Sequence, residues 1–175
     1  ILFCDRFLPN ETDSMPHIPS PQTDARGLVV SECKPSSLED YERALYQFQS
    51  YFGDPTETLA ATVENDPEFV MGHVFNASAM LMMTERQYIP AIRHSIERAE
   101  SLSHKSNDRE KELITAARDC LEGRWDRACV GWDQVLARYP RDAMAIQCAH
   151  LMDFFRGDAV NLRDRVSRVI QHWHE

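Results

Sequence analysis

The sequence predicts an all-α fold made of stacked helical hairpins. From Ser36 onward apolar residues recur every three or four positions, and no stretch alternates apolar and polar residues as a strand would. Helix-starting and helix-ending signals interrupt this pattern repeatedly. Pro67, near a helix start, and Pro140, at a helix end, lie 73 residues apart, or about two periods of 36 residues. These three observations indicate a repeated two-helix unit.

The clearest unit runs from Arg109 to Pro140. A turn glycine, a small residue, an aromatic residue one turn later and a closing proline occur in order: Gly123, Ala128, Trp132 and Pro140. This is the spacing of a tetratricopeptide repeat, where the small residue lets two helices approach and the aromatic fills the adjoining groove. Trp125 opens the second helix and is expected to cover the join. We therefore predict a right-handed α-solenoid of about four antiparallel hairpins.

Polar residues mark the expected helix starts. A side-chain oxygen at the N-cap can accept a hydrogen bond from an exposed backbone N–H of the first turn. Ser36–Glu39 and Asn107–Glu110 have the pattern of a capping box, and Asp54, Asp66 and Asp142 are further N-cap candidates. The segment 69–83 is apolar on almost every side, which predicts a helix enclosed by its neighbours.

Two parts of the chain differ in composition. Residues 1–35 have no sustained period and contain four prolines between positions 9 and 21, which favours an extended leader. Residues 36–175 form the predicted tetratricopeptide-like repeat domain, and we expect this domain to be truncated at its C-terminus.

The sequence from about residue 24 to residue 175 resembles the N-terminal portion of the tetratricopeptide repeat protein 38 family. The matching residues are Asp66–His73, Arg109–Glu110, Gly123, Ala128–Cys129, Trp132, Tyr139–Asp142, Ala149–His150 and Arg163–Val169 before Trp173. Because family members are longer and all-helical, the resemblance implies an incomplete solenoid. It implies no catalytic activity.

Charge and cysteine usage restrict the expected partners and location. A net charge of −9 and a pI of about 5.2 argue against nucleic acid, because a phosphate backbone requires clustered cations. Between Ser36 and Asp66 there are seven acidic residues against Arg43 alone, which indicates either a surface for a basic partner or an ordinary solvated face. No apolar run is long enough to span a membrane. Five cysteines without close pairs are typical of a reduced, cytoplasmic protein.

The inner faces of the predicted first helices are the candidate binding surface. They lack the Lys and Asn residues of a carboxylate clamp, so we expect an apolar or mixed concave surface for an unidentified protein or peptide. Its candidate residues are Met80, Leu113, Ala117, Met144, Gln147, Leu151 and Phe154. Simple core filling is the alternative explanation for these side chains. Self-association through an uncovered apolar end is a further possibility.

Catalytic signatures are missing from the sequence. It contains no nucleophile elbow, phosphate loop, paired-cysteine motif or His-Glu-x-x-His helix, and we predict a non-catalytic scaffold without metal or cofactor. His73 and His150 lie in apolar first helices of separate hairpins. The alternative function is therefore an all-helical enzyme or small-ligand domain in which these two imidazoles face one cavity.

Overall fold

The computed structural model describes residues 22–173. Their regular secondary structure is helical apart from one small antiparallel hairpin, whose strands are β1 (Gln22–Thr23) and β2 (Val29–Val30). The helices are α1 (Pro35–Ser50), α2 (Pro55–Asn65), α3 (Val70–Met82), α4 (Ile89–Ser101), α5 (Asp108–Leu121), α6 (Trp125–Arg138), α7 (Ala143–Arg156) and α8 (Ala159–Val169). The all-α prediction is confirmed. The right-handed solenoid stays a prediction, and the prolines of the expected leader lie outside the described residues.

Helix α3 lies at the centre of the molecule. It contacts α1, α2, α4, α5 and α7, and every residue from Val70 to Met80 is buried. The sequence prediction that residues 69–83 form an enclosed helix is therefore confirmed over most of that segment. A small residue permits the contact with α2, since a Cβ at Gly72 would come within 3.0 Å of the Val63 side chain.

Consecutive helices pack on one another, and α3 also packs on α1 and α5, the first helices of the adjoining hairpins. Every helix from α1 to α7 packs on the helix that follows it. Helix α7 also reaches back to contact α3 and α1. In a regular repeat array each unit contacts only its neighbours, and the inner faces of its first helices stay open. Here α7 covers part of α3.

Three of the five predicted N-caps are confirmed. The side chain of Asp54 accepts from the backbone of Thr56 and Glu57, and that of Asp142 accepts from Ala145 at 2.8 Å. Asn107 and Glu110 complete the predicted capping box. Local sequence identifies these caps because both partners lie within one helical turn.

The predicted caps at Ser36 and Asp66 are wrong. Helix α1 begins one residue earlier, at Pro35, and its start is stabilised from a distance. The carboxylate of Asp66 accepts from the Lys34 backbone N–H at 2.9 Å and from the Ser37 hydroxyl at 2.7 Å. Helix α3 has no side-chain cap. Asp66 thus ties the end of the first hairpin to its beginning, which no local pattern predicts.

Residues 22–34 pack on the helical domain. The Val30 side chain is fully buried in the core, and the Val29 carbonyl accepts hydrogen bonds from Asn107 at 3.1 Å and Arg109 at 3.0 Å. The Ser31 backbone N–H donates to the Glu110 carboxylate at 2.8 Å. This part of the expected leader is therefore anchored to the start of α5, because α5 offers buried polar groups that need partners.

A buried ion pair joins α5 to α7. The guanidinium of Arg109 and the carboxylate of Asp142 lie 2.8 Å apart, and both side chains are almost completely buried. Asp142 uses its other oxygen to cap α7, and Arg109 also holds the β2 carbonyl of Val29. One ion pair therefore fixes α5, α7 and the β-hairpin relative to one another.

The Asp142→Asn variant tests this role. The amide oxygen keeps the cap, but the Arg109 charge stays buried without a counter-ion. We expect a loss of about 3–5 kcal/mol in the free energy of unfolding, measured by urea denaturation. The matched control is Asp108→Asn, which neutralises an exposed carboxylate at the start of α5 and should change stability by about 0.5 kcal/mol or less. Equal losses in the two variants would contradict a special role for the buried pair.

Candidate interaction surface

An apolar groove of about 440 Å³ lies where the ends of three hairpins meet. We call it the end groove. Its walls come from the end of α3, the start of α4, the turn between α5 and α6, and the end of α7. The apolar side chains lining it include Met80, Ile89, Ile92, Leu121, Trp125 and Phe155. Both its volume and its apolar lining are typical of sites that take an apolar ligand group.

Local structure explains why these side chains converge. Gly123 has a φ of +76°, which allows the chain to turn directly from α5 into α6 and places Trp125 at the first position of α6. The Trp125 side chain is 46% exposed, and it lines the end groove. The sequence prediction that Trp125 covers the join between helices therefore leaves out its exposed face, which lines the end groove. Ala128 and Trp132 are the residues that pack the hairpin, since both are buried.

A second feature is a partly exposed stripe along one face of α7. Gln147, Leu151 and Phe154 lie three or four residues apart, and we call them the α7 stripe. The amide of Gln147 donates to the Tyr51 hydroxyl at 3.0 Å, so the stripe begins beside the end of α1. Phe154 is 66% exposed, and its ring packs edge-on against Phe155 with centroids 5.9 Å apart. The α7 stripe is therefore continuous with the end groove.

The structure separates the seven predicted concave residues into two groups. Met80, Leu113, Ala117 and Met144 are buried within the helical core, although Met80 also forms part of the floor of the end groove. Gln147 and Leu151 are half-buried, and Phe154 is exposed. The exposed part of the predicted surface therefore lies on α7. Packing of α5 and α7 on α3 explains why these candidates are core residues.

The two candidate histidines have different surroundings. His73 is buried, and its Nε2 lies 3.0 Å from the Pro67 carbonyl, to which it donates. Burial lowers the pKa of His73, although the hydrogen bond to Pro67 opposes that shift. His150 is half-buried on α7, and its Nδ1 has no hydrogen-bond partner. Neither imidazole lines the end groove. A cavity shared by both stays a prediction.

The buried cysteines lack the character of nucleophiles. Burial raises the pKa of the Cys120 thiol to about 12 and that of Cys148 still further. Cys129 has its pKa raised by burial too, against the opposing effect of an Arg156 guanidinium 3.1 Å from its sulfur. A thiol with a raised pKa carries little thiolate at neutral pH, and the thiolate is the reactive form.

Within residues 22–173 no cluster of three or more His, Cys, Asp or Glu side chains has the geometry of a metal site. No helix in that part of the chain combines the length and apolar character needed to cross a bilayer. Comparison with protein-family models and with solved structures finds no match for this chain.

Thiol reactivity tests the burial of the cysteines. In a Cys4→Ser/Cys33→Ser variant the three remaining thiols are the buried ones, Cys120, Cys129 and Cys148. At pH 8 we expect native protein to react with a disulfide reagent about a hundredfold more slowly than urea-unfolded protein, because burial hides the sulfur and suppresses the thiolate. Fast reaction of a native thiol, identified by mass spectrometry of the labelled peptides, would contradict this account.

Proposed function

We propose that this chain is a non-catalytic helical-repeat domain that binds a segment of another protein. In this proposal the hairpins form a tetratricopeptide-like solenoid, related to the N-terminal portion of the tetratricopeptide repeat protein 38 family. The domain acts in the cytoplasm. Its binding surface is the α7 stripe together with the end groove.

Exposed aromatic side chains are the observation that carries the proposal. Phe154, Phe155 and Trp125 all remain exposed around the end groove. Contiguous apolar patches are uncommon on soluble monomers and often mark interaction sites. Aromatic residues are also the side chains that most often dominate the binding energy of an interface. A ligand segment that covers these rings removes a large apolar area from water.

Hairpin packing supports the repeat assignment. Ala128 and Trp132 are buried where α6 packs on α5, as the repeat pattern requires. A Cβ on Gly131 would come within 3.2 Å of the Ala116 Cβ, which shows how closely the two helices approach. Repeat domains of this type present rigid surfaces assembled from several hairpins, and the end groove is formed by three of them.

A pair of matched variants tests the proposal. Trp125 lies in the first turn of α6 and Val160 in the first turn of α8, and both side chains are exposed. Asp is tolerated at such positions because it complements the positive end of the helix dipole. Helical peptides selected from a random library for binding to the wild-type chain should bind Trp125→Asp about thirtyfold more weakly and Val160→Asp with unchanged affinity.

Isothermal titration measures both affinities, and circular dichroism confirms that each variant remains helical. Equal affinity of the selected peptides for wild type and Trp125→Asp would contradict the proposed surface. A library that yields no binder to the wild-type chain would contradict the proposed function itself.

A further inference from the structure

We infer that the bound segment is basic: its apolar side chains lie on the α7 stripe and in the end groove, while its Arg or Lys side chains contact the end of α1 and the start of α2. This inference rests on the proposed function and adds the chemistry of the partner. It depends on two observations, the exposed aromatic rings at the end of α1 beside the α7 stripe and the excess of carboxylates on the α1–α2 hairpin.

Two aromatic rings are presented beside the α7 stripe. Tyr51 and Phe52 are 73% and 78% exposed. Tyr51 has a φ of 55°, a left-handed conformation that is rare for a bulky residue, and its hydroxyl is held by Gln147. This conformation is the left-handed C-cap that ends α1, in which the Tyr51 backbone N–H donates to the Gln47 carbonyl. These rings are thus held at the surface where a ligand on the α7 stripe would meet them.

The faces of these rings are available to a cation. Among the described residues the cation–π contact is that of Arg138 with Tyr139, at the C-terminal end of α6. A guanidinium or ammonium group over an exposed aromatic ring contributes about 0.5–1 kcal/mol. Arg is the better partner, because its planar group stacks on a ring and is weakly hydrated.

Charge on α1 and α2 favours the same partner. Residues 35–65 contain six carboxylates and one cation, Arg43, which pairs with Asp40 at 2.6 Å. Glu42 is paired with Arg26. Glu39, Glu57 and Glu64 are exposed and form no ion pair with another described residue. Glu57 is only five residues from Phe52, so negative charge lies close to the aromatic rings.

Charges around the end groove are balanced, so they do not oppose a basic ligand. Arg156 pairs with Asp126 at 2.7 Å, and Arg124 donates to Asp119 at 2.7 Å. Arg86 and Glu85 adjoin each other on the groove wall. The unpaired carboxylates Glu39, Glu57 and Glu64 on α1 and α2 have no such balancing cation among the described residues. An apolar surface with an acidic border is complementary to an amphipathic helix whose polar residues are Arg and Lys.

Three synthetic peptides test the inference. They share one set of Leu and Phe residues at helical spacing and carry Arg and Lys, Gln, or Glu at every polar position. Fluorescence anisotropy with the full chain should show that the basic peptide binds about tenfold more tightly than the Gln peptide, and the Glu peptide more weakly than both. High salt should remove most of this difference, since exposed charges are screened.

Two sets of variants locate the effect. Phe52→Ala should weaken the basic peptide about two- to fivefold and leave the Gln peptide unchanged. The variant Glu57→Gln, which neutralises an exposed carboxylate near the Phe52 ring at the start of α2, should reduce the advantage of the basic peptide. The matched control Glu97→Gln, which neutralises an exposed carboxylate on α4, should retain that advantage in full.

The outcomes separate this inference from the function on which it rests. Equal binding of the three peptides, with affinity that Trp125→Asp reduces, would contradict a basic partner and leave the proposed function intact. Tighter binding of the basic peptide that Glu57→Gln does not change would also contradict the inference. Failure of all three peptides to bind would contradict both.

Discussion

The enclosure of α3 is the constraint on which the rest of this structure depends. From Val70 to Met80 this helix has no exposed residue, so other helices must cover its whole circumference. Two-helix hairpins stacked in order leave one side of such a helix open. Helix α7 covers that side, and its contact with α1 follows from the same position. The apolar surface available to a partner therefore lies on the exposed face of α7 and in the end groove, and not on α3.

Buried polar groups fix this arrangement. Apolar packing alone has little directional preference, whereas an ion pair such as Arg109 with Asp142 requires one geometry. A second pair acts at the other end of α7, where the carboxylate of Asp153 accepts from Arg165 of α8 at 2.7 Å with both side chains buried. Leaving any of these charges without its partner is costly. They therefore specify where α7 lies against α5 and α8, and hence where the α7 stripe faces.

Local signals made the helices predictable. The apolar period, the caps at Asp54, Asn107 and Asp142, and the turn at Gly123 all act within a few residues, so a single sequence reveals them. The role of Asp66 was not predictable in this way, because its partners, Lys34 and Ser37, lie about thirty residues away. The short β-hairpin has too few residues for an alternating pattern to emerge.

The candidate surface is likewise predictable from the sequence only in part. Helical spacing placed Gln147, Leu151 and Phe154 on one face of α7, and the structure leaves that face at least partly open. The same reasoning assigned Leu113 and Met144 to an open surface, but sequence alone does not show that α7 folds back over α3. Trp125 was assigned to packing because the repeat pattern explains an aromatic at that position. The exposure of Trp125 depends on the end groove, which is assembled from three hairpins and has no local sequence pattern.

The central claim is that an enclosed α3 leaves α7 and the end groove as the binding surface. Hydrogen–deuterium exchange of the chain, with and without the basic peptide, tests it most directly. We predict the slowest exchange in α3 under both conditions, because its amides open only with the whole domain. On binding, protection should increase at the end of α7, at the start of α4 and at the turn between α5 and α6, with no change in α8. Fast exchange in α3, or peptide-induced protection confined to α8, would contradict the account.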